Sequence, residues 1–138
     1  MPIGRVLAVI AVAVLAAACS DEKPSDADLQ ALLVGKWGET REVLDEVHKQ
    51  VIRLNADGSF AVSGISARPG AQMNFSFGGS WAVRDGHFWY KALSSEPKDF
   101  YSLGQEHKDK IVSVTSHEWV MIEESTGQKS RARRYEEP

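Results

Sequence analysis

The chain has one cysteine in 138 residues, Cys19, so no disulfide can form within it. The covalent staple of many small exported domains is excluded, and stability must come from a packed core. Long apolar runs are also missing. The longest is Val6–Ala18, 13 residues without a polar side chain. As a helix it would reach about 20 Å, short of the roughly 30 Å hydrocarbon core of a bilayer. Basic charge is not in excess. Arg5 is the only charge among the first 18 residues, so from Cys19 onward 15 Lys and Arg face 19 Asp and Glu, a net of −4. That balance argues against a general nucleic-acid binder. No sequence repeat of fixed period is present.

Reaction motifs are equally scarce. There is no Gly-x-Ser-x-Gly elbow. "FGGSW" is rich in glycine but lacks the lysine and the following helix of a phosphate loop. His48, His87, His107 and His117 do not pair at metal-ligand spacing on a plausible element. His87 and His117 fall in turns. Glu96, Asp99, Glu106 and Asp109 cluster in or beside one long loop, where solvated charge is the ordinary state and a cation or acid–base pair the rarer one. No catalytic set, cofactor or metal is expected.

What is present begins at the amino terminus. Arg5, the apolar run and Ala16-Ala17-Ala18 have the order of a cleaved signal peptide over residues 1–18. "LAAAC" then resembles the lipobox of bacterial lipoproteins, with Ala16 where leucine is commoner and Leu15 one place earlier. The resemblance implies that Cys19 becomes the first mature residue and carries a diacylglyceryl group on its thiol. Two or three acyl chains anchor firmly, since each buried methylene contributes about 0.8 kcal/mol. By the sorting rule of enteric bacteria, Ser20 favours the outer membrane, facing the periplasm. Residues 19–28 are polar and read as a tether to a folded domain over 29–138.

A short helix is expected next, capped by Ser25, with Asp26 and Asp28 in its first turn and Leu29, Leu32 and Leu33 on one face. From Lys36 the period falls to two, clearest where Met73, Phe75 and Phe77 alternate with Asn74 and Ser76. Turn signals recur at 55–58, 68–70, 84–87 and 125–128. The pattern predicts eight strands at 36–43, 47–54, 59–66, 72–84 with Gly78 and Gly79 as a bulge, 87–93, 108–115, 118–124 and 128–135, with a long loop over 94–107. Short strands and tight turns without intervening helices predict an all-β antiparallel up-and-down barrel. Closure removes the exposed edges of an open meander. Eight strands leave room for side chains or for one small ligand.

"LLVGKWGE", with Gly35 and Trp37, resembles the Gly-x-Trp start of the lipocalin barrel, in which an arginine of the last strand packs across the tryptophan. "RLNADGSFAVSG" and "GGSWAVRDGHFWY" are similar to small bacterial lipoproteins with a lipocalin-like domain. The chain is shorter than full lipocalins and lacks their disulfides and C-terminal helix, so the resemblance implies a compact calycin-type barrel. A two-residue turn at Thr126-Gly127 would pair Val120 with Arg133 and Trp119 with Arg134, which places Arg134 with Trp119, Met121 and Ala132 on the inner face. Arg134 is therefore the expected cap on Trp37, through a cation–π contact. Phe88, Trp89 and Tyr90 are consecutive, so either Trp89 or the other two must face outward. Phe60, Met73, Phe75, Phe77, Trp81, Trp119 and Met121 are the candidate lining of a cavity for an apolar or amphipathic molecule. The expected protein is a lipid-anchored, non-enzymatic envelope component binding such a ligand. The alternative is a module for an envelope protein or protease, with Phe100 and Tyr101 of the long loop as exposed anchors.

Overall fold

The computed structural model describes residues 23–135. The expected signal peptide, Cys19 and the start of the tether up to residue 22 lie outside the described residues, as do residues 136–138. Helix α1 spans Asp26–Leu33. A capping box starts it: the Ser25 hydroxyl accepts from Asp28 N at 3.1 Å, and the Asp28 carboxylate accepts from Ser25 N at 3.3 Å. Ser25 is thus the cap and Asp26 and Asp28 stand in the first turn, as expected, so the helix begins within the stretch read as tether. Asp26 accepts from the backbone N–H groups of Asp85 and Gly86, tying the helix to a strand turn. Leu29 and Leu33 are buried, whereas Leu32, expected beside them, faces solvent. On a helix of 3.6 residues per turn the i, i+4 pair meets the barrel and Leu32 swings aside.

Eight strands follow: β1 Gly35–Val43, β2 Glu46–Leu54, β3 Ser59–Arg68, β4 Ala71–Arg84, β5 His87–Glu96, β6 Glu106–Val114, β7 Glu118–Glu123 and β8 Lys129–Arg134. Each pairs antiparallel with the next, and β8 returns to β1, closing the barrel. The expected all-β up-and-down barrel with one short helix is the observed architecture. The closing seam is short, with Trp37 opposite Arg134 and Gly38 opposite Arg133. Two bulges bend the wall. One is the expected shift at Gly78/Gly79, whose extra residue is Leu93 on β5; the other falls between Ile111 and Ser113 on β6. A Cβ at Gly79 would run into the Lys91 carbonyl, so β4 and β5 can approach there only without a side chain.

The β7–β8 hairpin corrects the expected register. Glu123 N donates to Gln128 O and Gly127 N to Glu123 O, so the loop has four residues where two were expected. Trp119 therefore faces Ala132, and Val120 faces Arg131. The slip is by two places, which preserves every side chain's face, and Arg134 remains inside. The long loop is also shorter than expected, because β5 runs on to Glu96 and β6 starts at Glu106.

The core occupies the end of the barrel that α1 covers. Trp37, Trp119, Leu33 and Leu54 are its most fully buried large side chains. Each contributes about 1.5–3 kcal/mol by burial. Trp37 and Trp119 meet edge to face at 5.8 Å, and Phe88 meets Trp119 at 4.9 Å.

Candidate functional site: a two-sided cavity in the barrel

One end of the barrel is sealed. Trp37 Nε1 donates to Leu33 O at 2.8 Å, joining β1 to the last turn of α1. The Arg134 guanidinium lies 3.9 Å from the Trp37 ring centre. It also donates to Val34 O at 2.9 Å, Leu32 O at 2.8 Å and Ser116 O at 3.3 Å. Helix α1 has no basic residue in its last turn, and Arg134 of β8 supplies the positive charge and donors its free carbonyls need. Gly35 has φ +134°, and a Cβ there would meet Arg134 Nη1 at 2.5 Å. A side chain at position 35 would displace the arginine. Gly35, Trp37 and Arg134 are thus brought into one plug.

Above this plug the barrel holds a cavity of about 630 Å³. Period two explains its lining. Phe60 and Val62 of β3, Phe77 of β4 and Phe88 of β5 form one apolar wall. Facing it are the inward positions of β1, β2 and β6: Glu39, Arg41, Gln50 and Asp109. Trp119 and Met121 of β7 complete the floor. Residues of the loop between β5 and β6 cover the mouth. Phe100 stacks on Phe75 at 4.2 Å, and Tyr101 stacks on Phe77 at 4.4 Å. The Tyr101 hydroxyl donates to the Tyr90 hydroxyl at 3.1 Å, and Tyr101 N donates to Ser95 Oγ.

The polar wall has one cation among several carboxylates. Arg41 donates to Glu39 Oε1 through Nη2 at 2.9 Å and Nε at 3.2 Å. Its Nη1 is 3.8 Å from a Glu123 carboxylate oxygen, and Nη2 reaches Ser130 Oγ at 3.4 Å. Gln50 Nε2 donates to the second Glu39 oxygen at 3.0 Å. Glu39 is therefore buried and fully engaged. Asp109 is 5% exposed, and its carboxylate makes no hydrogen bond or ion pair among the described residues. Burial pushes its carboxyl up to about 7; Arg41 opposes that rise, while Glu123, Glu39 and Glu124 add to it. Burial likewise holds the Tyr90 hydroxyl well above the ordinary phenol range.

Among solved structures, the chain matches a lipocalin-like protein from Bacteroides uniformis with TM-score 0.51, 17% sequence identity and coverage of 75% of this chain and 99% of that one. The barrel is lipocalin-like. No protein-family model and no curated protein matches the chain. Identity this low speaks of fold alone, so function has to be argued from the cavity.

Within this lipocalin-like barrel, five of the seven expected lining residues, Phe60, Met73, Phe77, Trp119 and Met121, border the cavity. The other two do not. Phe75 is covered by the Phe100 ring, and Trp81 belongs to the sealed end, where its Nε1 donates to Asn55 O at 3.1 Å. Phe88 and Tyr90 face inward, and Trp89 lies outside between Arg84 and Lys108, at 4.5 and 5.3 Å. Phe100 and Tyr101, expected as exposed anchors, instead turn into the mouth. Asp109, expected as a solvated charge beside the long loop, is on the strand foreseen there but points inside.

The polar wall went unread in the sequence, although its signal was there. Glu39 and Arg41 continue the alternation that starts at Trp37, and Asp109 alternates with Ile111. Charged residues on an inward face are discounted by any reading that equates inside with apolar.

Proposed function

We propose that the chain is a lipid-anchored protein of the bacterial envelope whose barrel binds a small apolar or amphipathic molecule. The cavity carries this reading. Its volume of about 630 Å³ lies within the roughly 300–1,000 Å³ of small-molecule sites, and one wall is aromatic. The Phe100–Tyr101 segment supplies a cover held by ring stacking, by the Tyr101 bonds to Tyr90 and Ser95 and by Gly104 N on Ala92 O, all outside the strand ladder, so it can lift to admit a ligand without breaking the barrel. The anchor rests on the lipobox-like "LAAAC" and the absence of any second cysteine, and Ser20 supports an outer-membrane position facing the periplasm. The residues suggest a carrier or sensor rather than an enzyme.

The test is native mass spectrometry of the chain carrying Cys19→Ser, purified from the cell envelope and then offered fatty acids, alcohols, amines and lipid extract. A bound small molecule, lost when Phe77→Trp fills the cavity, is the expected result. A chain that takes up none of them would overturn the reading.

A further inference from the structure

The cavity's charge pattern narrows the ligand class, on the footing that the barrel binds an amphipathic molecule. Three carboxylates, Glu39, Asp109 and Glu123, stand at the polar wall around one guanidinium. Arg41 is already committed to Glu39 and Glu123, at 2.9 and 3.8 Å. It has little left for an anionic ligand. Asp109 is the unbalanced group: buried, bordering the cavity, and without a hydrogen-bond partner among the described residues. A buried carboxylate needs a donor or a counter-charge. Metal ions are a poor match, since among the described residues no three His, Cys, Asp or Glu side chains are grouped to hold one.

We propose that the cavity selects amphiphiles bearing a protonated amine, with the ammonium group received by Asp109 and the apolar body laid against Phe60, Phe77 and Phe88. The two walls match the two ends of such a molecule. Tyr90, on the inward face beside Asp109, has a hydroxyl already bonded to Tyr101, so binding also draws on the covering loop. With Arg41 committed to Glu39 and Glu123, burial keeps the proton on Asp109 up to about pH 7. An ammonium ion takes the proton's place as counter-charge. The other groups facing this point are Glu39 and Arg41 of β1, Tyr90 of β5, Tyr101 of the loop, His107 two places along β6 against Tyr90, and Glu123 of β7, with Glu46, His48 and Asp99 further along the lining; Glu124 is turned away to His87 and Lys108. The carboxylates among them favour a cation as well, whereas Arg41 and any protonated histidine oppose one.

The experiment titrates octylammonium, octanol and octanoate into the chain carrying Cys19→Ser, so that no acyl chain of its own competes, and follows tryptophan fluorescence. Octylammonium should bind about tenfold or more tightly than octanol, the worth of one charge-assisted hydrogen bond, and octanoate most weakly. That preference should grow from about pH 5 to about pH 8, where Asp109 ionises while an alkyl amine remains protonated. Asp109→Asn should abolish the preference of octylammonium over octanol, whereas Glu106→Gln, an exposed carboxylate paired with Arg84, should leave it intact. Equal binding of octanol and octylammonium, or a preference that survives Asp109→Asn, overturns the amine assignment while leaving the carrier reading standing. Failure of all three to bind overturns both.

Discussion

Truncating Arg134 to alanine tests how the barrel is closed. The change removes a guanidinium 3.9 Å from the Trp37 ring centre and its bonds to Val34 O and Leu32 O. The ring contact is worth about 0.5–2 kcal/mol. Charge-assisted hydrogen bonds are worth more than neutral ones, but the Leu32 carbonyl lies at the surface, where water can replace the arginine, so about 1 kcal/mol for each bond is a fair allowance. The total is about 2.5–4 kcal/mol, or roughly 10–16 °C in melting temperature for a domain of this size. Thermal unfolding followed by near-ultraviolet circular dichroism measures it, because rings held rigidly in the core, Trp37, Trp81 and Trp119 among them, give that signal. Arg131→Ala is the control. Arg131 points outward to Glu118 at 3.2 Å with a half-exposed side chain, a pair worth no more than about 1 kcal/mol. Arg134→Lys should recover only part of the loss, since an ammonium cannot stack on the indole and reach two carbonyls together. If Arg134→Ala costs no more than Arg131→Ala, the arginine is a surface charge and the closure argument is wrong.

Other perturbations have equally definite outcomes. Cys19→Ser should abolish palmitate labelling and release the processed chain from the membrane fraction, with an unchanged melting temperature; persistent labelling would refute the lipobox reading. Asp109→Asn should stabilise the fold at about pH 8 and have little effect near pH 4. The folded carboxyl titrates at about 7 against an ordinary 3.8, so its favourable contribution is complete below the unfolded value and is lost as pH rises through the folded one. The difference approaches about 4 kcal/mol as an upper bound, read by urea unfolding at both pH values. Gly79→Ala should cost about 1–3 kcal/mol by forcing β4 and β5 apart, and a melting temperature equal to the parent's would show that the bulge absorbs a methyl group.

The alternation of Met73, Phe75 and Phe77, together with the spacing of turns, was enough to foresee the strand number, the antiparallel order and most inward faces. These are local properties. A strand's period of two follows from its own backbone, and a turn needs only a few adjacent residues. Arg134 could be placed inside even from a register two places wrong, because parity survives such a slip. The four-residue β7–β8 loop itself was not legible, since Glu123, Gly127 and Gln128 bond through backbone groups that every sequence possesses. Nor could local pattern show that Phe100 and Tyr101 fold back onto Phe75 and Phe77 across some two dozen residues of chain. The charged wall was decided at the same level. Glu39, Arg41, Asp109 and Glu123 come from three strands, and an inward carboxylate is tolerable only where closure brings a guanidinium to it or leaves a cavity beside it. Side-chain direction is a property of the chain's own geometry, whereas the partner that makes a buried charge affordable is supplied only by the closed barrel.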